Sequence, residues 1–225
     1  MLIFMKNAKK FLEKKSALSL IYYHQGYVYA SNRHSLIWVE DASGREGAFD
    51  VTSNRLIENV TIPNYEKLLP PLSGNEPYST VDVSALTEFL DILKATIACA
   101  IKQRDIKGVI LLVWRQEGIT AYARASRLRL DYRLSDRVEN FSAVERTLFA
   151  AFDAQKMSDL VAYFRQRKAP VQFYALRSEH SSLRLEVASN VNADASAGGL
   201  LAPVRIIERE KWDDVLREFG AGGEL

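Results

Sequence analysis

A run of residues at helical spacing followed by short extended runs recurs along this chain, and that alternation limits the available folds more than any single motif. In the middle, Tyr78 to Val83 reads as a strand and Ser84 as an N-cap. Leu86, Phe89, Leu90, Leu93, Ile97 and Ile101 then follow one helix face. Ile106 to Val113 reads as an apolar strand and Arg115 to Gly118 as a turn, with Ile119, Tyr122, Leu128, Leu130 and Tyr132 in further extended segments. The same grammar returns with a strand at Thr147 to Phe152 and a cap at Asp153. Met157, Leu160, Val161 and Phe164 give the next helix face, and Pro170 ends that helix. Val171 to Leu176 and Leu183 to Val187 form a predicted hairpin around Ser178 to Ser181, and Leu201 to Ile207 a closing strand.

A rougher copy opens the chain. Ala8, Phe11 and Leu12 mark a short helix carrying Lys6, Lys9, Lys10, Lys14 and Lys15. Strands are expected at Leu18 to Tyr23, Tyr27 to Ala30 and Leu36 to Val39, with two more at Phe49 to Thr52 and Leu56 to Thr61. The proline- and glycine-bearing stretch Pro70 to Pro77 is the best linker. It divides the chain into residues 1–75, about one helix-and-sheet unit, and 76–207, two such units, before an acidic tail at 208–225. A helix can cover one face of an antiparallel sheet without long crossovers, so the class is α+β. The glycine-rich fingerprint of a nucleotide-binding βαβ unit is absent.

Composition excludes several functions. With 48% apolar and 26% charged residues among 225, the chain has ample material for a core. One cysteine and three scattered histidines give neither a disulfide framework nor a zinc signature. No apolar run approaches the ~20 residues of a membrane-spanning helix. The opening MLIFMKNAKKFLEKK places apolar residues before its charges, so no secretory leader is expected and a cytoplasmic, reducing compartment is. The formal charge is +2; residues 208–225 hold six acidic and three basic side chains, a net of −3, which leaves +5 for the body. A mildly basic body can approach a polyanion.

Three local motifs, in order, resemble the bacterial DNA polymerase sliding clamp, the processivity-clamp family, in a shortened and divergent form. Asn32-Arg33-His34-Ser35-Leu36 is similar to a histidine-arginine-leucine turn of that family. Ile62 to Pro70 (IPNYEKLLP) is similar to its proline-aromatic stretch, and Ala202-Pro203-Val204-Arg205-Ile206 to its closing strand. The resemblance implies a clamp-like fold of about one and a half to two domains, 1–75 being partial or shortened and 76–207 complete. It implies a groove for linear peptides of replication or repair proteins at His34, Leu36, Pro70, Pro203, Val204, Arg205 and Ile206. It also implies basic helices facing duplex DNA without base specificity: Lys6, Lys9, Lys10 and Lys14; Lys94, Lys102 and Arg104; Lys156, Arg165, Arg167 and Lys168. The expected function is processivity or tethering, without catalysis or cofactor, and a homo-oligomer is one expected assembly. The alternative is a non-encircling clamp-derived module, a decoy or regulator of replication proteins, for instance in a mobile element.

Blander readings stand beside these. Long basic side chains also simply solvate helix faces, and His34 also serves as an ordinary turn residue. Arg124, Arg127, Arg129, Arg133 and Arg137 read as a solvated outer sheet face or a contact surface. Cys99, Trp38 and Trp114 read as packing residues. Asp82, Asp91 and Asp105 form a nuclease site only if a pocket is assumed, and helix ends explain them without one. In the tail, Trp212, Val215, Leu216 and Phe219 fall at helical spacing, suited to cover the groove or a neighbouring subunit.

Overall fold

The computed structural model describes residues 1–14, 16–69, 72, 74–102, 108–125, 128–141, 148–174, 182–188, 196–206 and 212–218. Pro70, Asp105, Arg104, Arg127, the Ser178 to Ser181 turn and Phe219 lie outside them, as does the side chain of Lys102. The elements run α1 (Leu2–Ala8), β1 (Leu20–His24), β2 (Tyr27–Ser31), β3 (Ser35–Glu40), β4 (Gly47–Asp50), β5 (Leu56–Ile57), α2 (Tyr65–Leu68) and β6 (Tyr78–Val81). They continue with α3 (Val83–Lys102), β7 (Val109–Arg115), β8 (Gly118–Ala125), β9 (Leu128–Arg133), β10 (Leu148–Asp153), α4 (Ala154–Arg165), β11 (Val171–Tyr174), β12 (Leu183–Val187), β13 (Ala197–Leu201) and α5 (Asp213–Glu218).

The predicted alternation is present as three helix-plus-meander units led by α1, α3 and α4. All strand pairs are antiparallel, in a nine-stranded sheet ordered β5-β4-β1-β2-β3-β13-β12-β11-β6 and a four-stranded sheet ordered β10-β7-β8-β9. The class is α+β. In the first two units the strand after the meander returns to its first member: β4 pairs β1, and β10 pairs β7. The units join where β3 pairs β13, Trp38 opposite Gly198 and Leu36 opposite Leu200.

Strand alternation sorts side chains between two faces. Ile21, Tyr23, Ile37, Val39, Ile110, Leu112 and Trp114 point into one core shared with Phe4 and Phe11, Leu86, Phe89 and Leu93, and Met157, Leu160, Val161 and Phe164. The opposite faces are covered as well, which explains why β3 and β7 read as unbroken apolar runs. Tyr22, Tyr29, Leu36 and Trp38 lie under Tyr65 of α2, while Leu111, Val113 and Tyr122 lie under Trp212, Val215 and Leu216 of the tail. Trp38 and Trp114 are packing residues, as expected.

Several local expectations shift. Asp82, not Ser84, caps α3: its Oδ1 accepts from the Ala85 N–H at 2.8 Å and from Ser84 Oγ at 2.7 Å. The first helix, Leu2–Ala8, buries Phe4, Asn7 and Ala8, and of the marked residues Phe11 lies in a single 3-10 turn after it and Leu12 beyond that. Ile101 is 72% exposed, since the last turns of α3 bury Thr96 and Ala100 instead. Gly108 faces the same spot, where a Cβ would stand in ordinary contact with Thr96, Ala100 and Ala154 at 3.5 Å. Arg124 is buried rather than solvated, whereas Arg129 and Arg133 on β9 and Arg137 after it are exposed.

The Asp82 cap carries a pH signature. The hydrogen bonds from Ala85 and Ser84 hold its carboxyl below the usual carboxylate range. A lowered folded pKa contributes stability above the unfolded value of about 3.9, and that contribution is lost as the pH falls through the folded pKa. Asp82→Ala should therefore cost about 1 kcal/mol at neutral pH. The gap to wild type should narrow in denaturant titrations near pH ~3; a pH-independent gap would remove the carboxylate from the account.

Candidate peptide groove and basic helix layer

The β2–β3 turn is built on one side chain. Asn32 Oδ1 accepts from the His34 and Ser35 N–H groups, both at 2.8 Å, and from Ser35 Oγ at 3.1 Å. With the turn satisfied internally, the His34 carbonyl is left to accept from the Ala202 N–H at 2.8 Å. The His34 side chain is exposed, and neighbouring Arg33 Nε reaches Glu13 Oε1 at 3.2 Å. Two residues on from Ala202, the Val204 N–H donates to Ala151 O of β10 at 2.8 Å. Pro203 between them offers no donor. Residues 202–206 thus bridge the nine-stranded and four-stranded sheets.

This corrects the expected closing strand at Leu201 to Ile207. The closing strand is β13, Ala197–Leu201, and the motif residues follow it outside the ladder. The glycines permit the register. A Cβ on Gly198 would overlap the Trp38 indole, and one on Gly199 would stand 2.5 Å from Leu160 Cδ1 of α4.

Leu36 is buried on the outer face of the nine-stranded sheet, flanked across the ladder by Ser31 and Leu200. Its cluster contains Tyr22, Tyr29, Trp38 and Tyr65, with Ile62 and Leu69 packed at the margin. Asn64 Oδ1 caps α2 by accepting from the Lys67 N–H at 3.1 Å, which seats Tyr65 flat on Tyr29 with ring centroids 4.1 Å apart. Burial pushes the Tyr65 phenol well above its usual range, with the Ser31 hydroxyl offsetting part of the rise. Val204 and Ile206 belong elsewhere, to the margin of the cluster formed by Leu111, Val113, Tyr122, Ala151 and the tail. Pro203 is half-buried and Arg205 exposed. One backbone bond, from the Ala202 N–H to the His34 carbonyl, joins the first and third motifs, while Leu36 and Val204 serve two separate apolar clusters. Tyr65 and Leu200 were not singled out beforehand; Tyr65 lies in the quoted proline-aromatic stretch, whereas Leu200 is revealed only by strand pairing.

Of the described basic residues, Lys6, Lys94, Lys156 and Arg165 lie on helices of one packed layer, α1 on α4 and α4 on α3, while Lys9, Lys10 and Lys14 follow α1 and Arg167 and Lys168 follow α4. Asn7 Nδ2 donates to Gln166 Oε1 at 3.0 Å across the α1–α4 contact. Lys6, Lys9, Lys10, Lys14, Lys94 and Lys168 are exposed; Lys156, Arg165 and Arg167 are half-buried. Some are engaged locally. Lys10 Nζ lies 3.9 Å from Asp159, Lys94 Nζ 2.8 Å from Asp91, and Arg167 Nη2 donates to Tyr163 Oη at 2.8 Å. Tyr163 Oη in turn donates to the Trp38 carbonyl at 3.2 Å, and burial raises its pKa to about 12.

The remaining polar candidates are structural. Asp82 is a helix cap, Asp91 pairs with Lys94, and Cys99 is half-buried on α3. His24 Nδ1 lies 3.2 Å from Glu46. Among the described residues, no group of three His, Cys, Asp or Glu side chains could hold a metal ion, and no helix is long and apolar enough to cross a membrane.

No family model matches the sequence, and no curated protein matches it. Solved structures do match. The DNA polymerase III beta chain of Streptococcus pneumoniae superposes with a TM-score of 0.67 at 13% identity, over 91% of this chain and 63% of that one. The Helicobacter pylori beta clamp in complex with diflunisal gives 0.65 at 11% identity, over 92% and 64%. The Caulobacter crescentus DNA polymerase sliding clamp gives 0.64 at 13% identity, over 91% and 63%. The chain spans less than two thirds of the length of these clamps. Across more than nine tenths of its own length, its fold is that of the bacterial sliding clamp.

Proposed function

We propose that this protein is a noncatalytic, sliding-clamp-like tether that presents a peptide-binding groove on its sheet face and a basic helix layer to duplex DNA. One observation carries the reading: three motifs far apart in sequence converge, with the His34 turn bonded to Ala202 beside the Leu36–Leu200 pair and the Tyr65 helix. Such convergence suits recognition of an extended peptide, which needs apolar floor residues and a polar margin with fixed direction. Leu36, Leu200 and Tyr65 supply the floor. His34, Pro203 and Arg205 are assigned to its margin, Val204 and Ile206 anchor the same segment on the neighbouring apolar cluster, and Pro70 completes the set. Replication or repair proteins carrying clamp-binding peptides are the partners of this groove. The DNA-facing set comprises Lys6, Lys9, Lys10, Lys14, Lys94, Lys102, Arg104, Lys156, Arg165, Arg167 and Lys168, which act through phosphates rather than bases. A homo-oligomer joined through sheet edges would let the helix layers surround the duplex.

A second reading has its own support. The nine-stranded sheet ends on β5, a strand of only two residues, so that edge offers little backbone for pairing with another subunit. That favours a compact clamp-derived module that binds replication peptides without encircling DNA.

Fluorescence anisotropy with a labelled bacterial clamp-binding peptide tests the groove. Leu36→Ala should weaken binding by about tenfold, the worth of one well-buried apolar anchor, and Arg205→Ala should weaken it less. Circular dichroism must confirm folding, because truncating a buried leucine also costs about 2–5 kcal/mol. Unchanged affinity in both folded variants would remove the site. Peptide capture that competes with an intact clamp, without retention on DNA, would select the second reading.

A further inference from the structure

The described part of the tail, residues 212–218, packs on a different apolar cluster from the one that holds Leu36. Trp212, Val215 and Leu216 are each at most 3% exposed and pack on Leu111, Val113, Tyr122 and Ala151, the outer face of the four-stranded sheet. Val204 and Ile206 pack on that same cluster, whereas Leu36 and Leu200 belong to the other. A polar lock fixes the helix. Arg124, whose side chain is 5% exposed, bonds Asp131 Oδ1 of β9 at 2.6 Å and Asp214 Oδ2 of α5 at 3.3 Å. Its Nη1 also donates to the Ala123 and Leu130 carbonyls, both at 3.1 Å. A guanidinium this deep needs its partners, so Asp214 binds the tail at a defined place on the sheet.

Among the described residues, 202–206 are held by few other backbone bonds. They lie outside the strand ladder, Pro203 donates nothing, and the backbone bonds to His34 and Ala151 stand at Ala202 and Val204. We infer that Trp212 and Asp214 are positioning residues of the proposed groove: α5 braces the Pro203–Ile206 wall against β10, and the tail strengthens partner binding instead of competing with it. The affinity consequence rests on the groove reading; the bracing of Val204 does not.

Amide hydrogen exchange on the full chain separates the two. In Trp212→Ala, the Val204 amide should exchange at least ~10-fold faster while β11–β12 amides keep their rates, the pattern of local opening. Asp214→Asn should give a smaller acceleration, and Trp212→Phe should restore most of the protection. Affinity for a labelled clamp-binding peptide should fall in the same order. Faster Val204 exchange in a protein that binds no peptide would uphold the brace and overturn the groove. Unchanged Val204 exchange in folded Trp212→Ala, or tighter peptide binding by it, would overturn the brace. If Trp212→Ala does not fold, Asp214→Asn decides: Val204 exchange at the wild-type rate there also overturns it.

Discussion

Gly198→Ala should destabilise the protein by about 3 kcal/mol, at the upper end of the cost of overpacking a core. An alanine Cβ at this position would overlap the indole of Trp38, which pairs with Gly198 across the β3–β13 junction. The ring is buried with Arg184 over it at 5.7 Å from the centroid, and its backbone is held by the β3–β13 pairing and by Tyr163, which donates to the Trp38 carbonyl, so relief requires the indole to repack. Gly199→Ala should cost less, although its neighbour is also close. There the obstruction is Leu160 Cδ1 at 2.5 Å, the far end of a flexible side chain, with the Leu36 carbonyl at 3.2 Å. Denaturant unfolding of both variants tests the ordering. A double cycle with Trp38→Ala adds a second check, since removing the indole should recover most of the Gly198→Ala penalty. Additive losses, or a cheaper Gly198 than Gly199 substitution, would mean that the units are not joined by this contact.

How much of this was legible beforehand follows from how local each determinant is. The α4 unit was readable because its cap, Asp153, and its buried face, Met157, Leu160, Val161 and Phe164, lie within twelve consecutive residues. The β7–β8 hairpin was readable for the same reason, with Arg115 opposite Gly118 around a two-residue turn. Arg124 was misread because its partners are Asp131 and a residue 90 positions away, Asp214, and an isolated arginine in a strand looks solvated. The role of Asn7 was not legible because it looks like a surface residue until Gln166 of the distant α4 end is seen to pair with it. The closing strand was displaced onto Val204 and Ile206 because β-propensity favours them over Ala197 to Leu201, which contains two glycines. Tertiary packing reverses that preference, since only glycines admit Trp38 and α4 so closely. Of the groove, the turn and the proline segment could be read as motifs. The Leu36–Leu200 pairing and the Tyr65–Tyr29 stack depend on register across the sheet, which no local pattern encodes.

Reversing the charge of Lys6, Lys9 and Lys14 together should lower affinity for duplex DNA by roughly a hundredfold at about 0.1 M salt and flatten the salt dependence by about three units of slope. These lysines are exposed on and beside α1, the outermost of the three packed helices. Lys10→Ala and Lys94→Ala should matter less, because Asp159 and Asp91 already share those charges. The decisive control is Arg129→Glu with Arg133→Glu. These arginines alternate with Leu128, Leu130 and Tyr132, which face the helix-bearing core, so they occupy the opposite surface of the four-stranded sheet. A duplex held by the helix layer should be indifferent to them beyond a weak long-range effect, which about 0.1 M salt screens within ~10 Å. Electrophoretic mobility shifts across a salt series would measure all four proteins. If the duplex is encircled as well as contacted, wild-type protein should also persist longer on circular than on linear DNA, since a ring escapes only at free ends. Retention lost equally from both forms would limit the protein to contact without encirclement. Equal losses from the helix-layer and sheet-face reversals would show that the attraction is set by net charge alone, and the helix layer would then have no claim to the DNA.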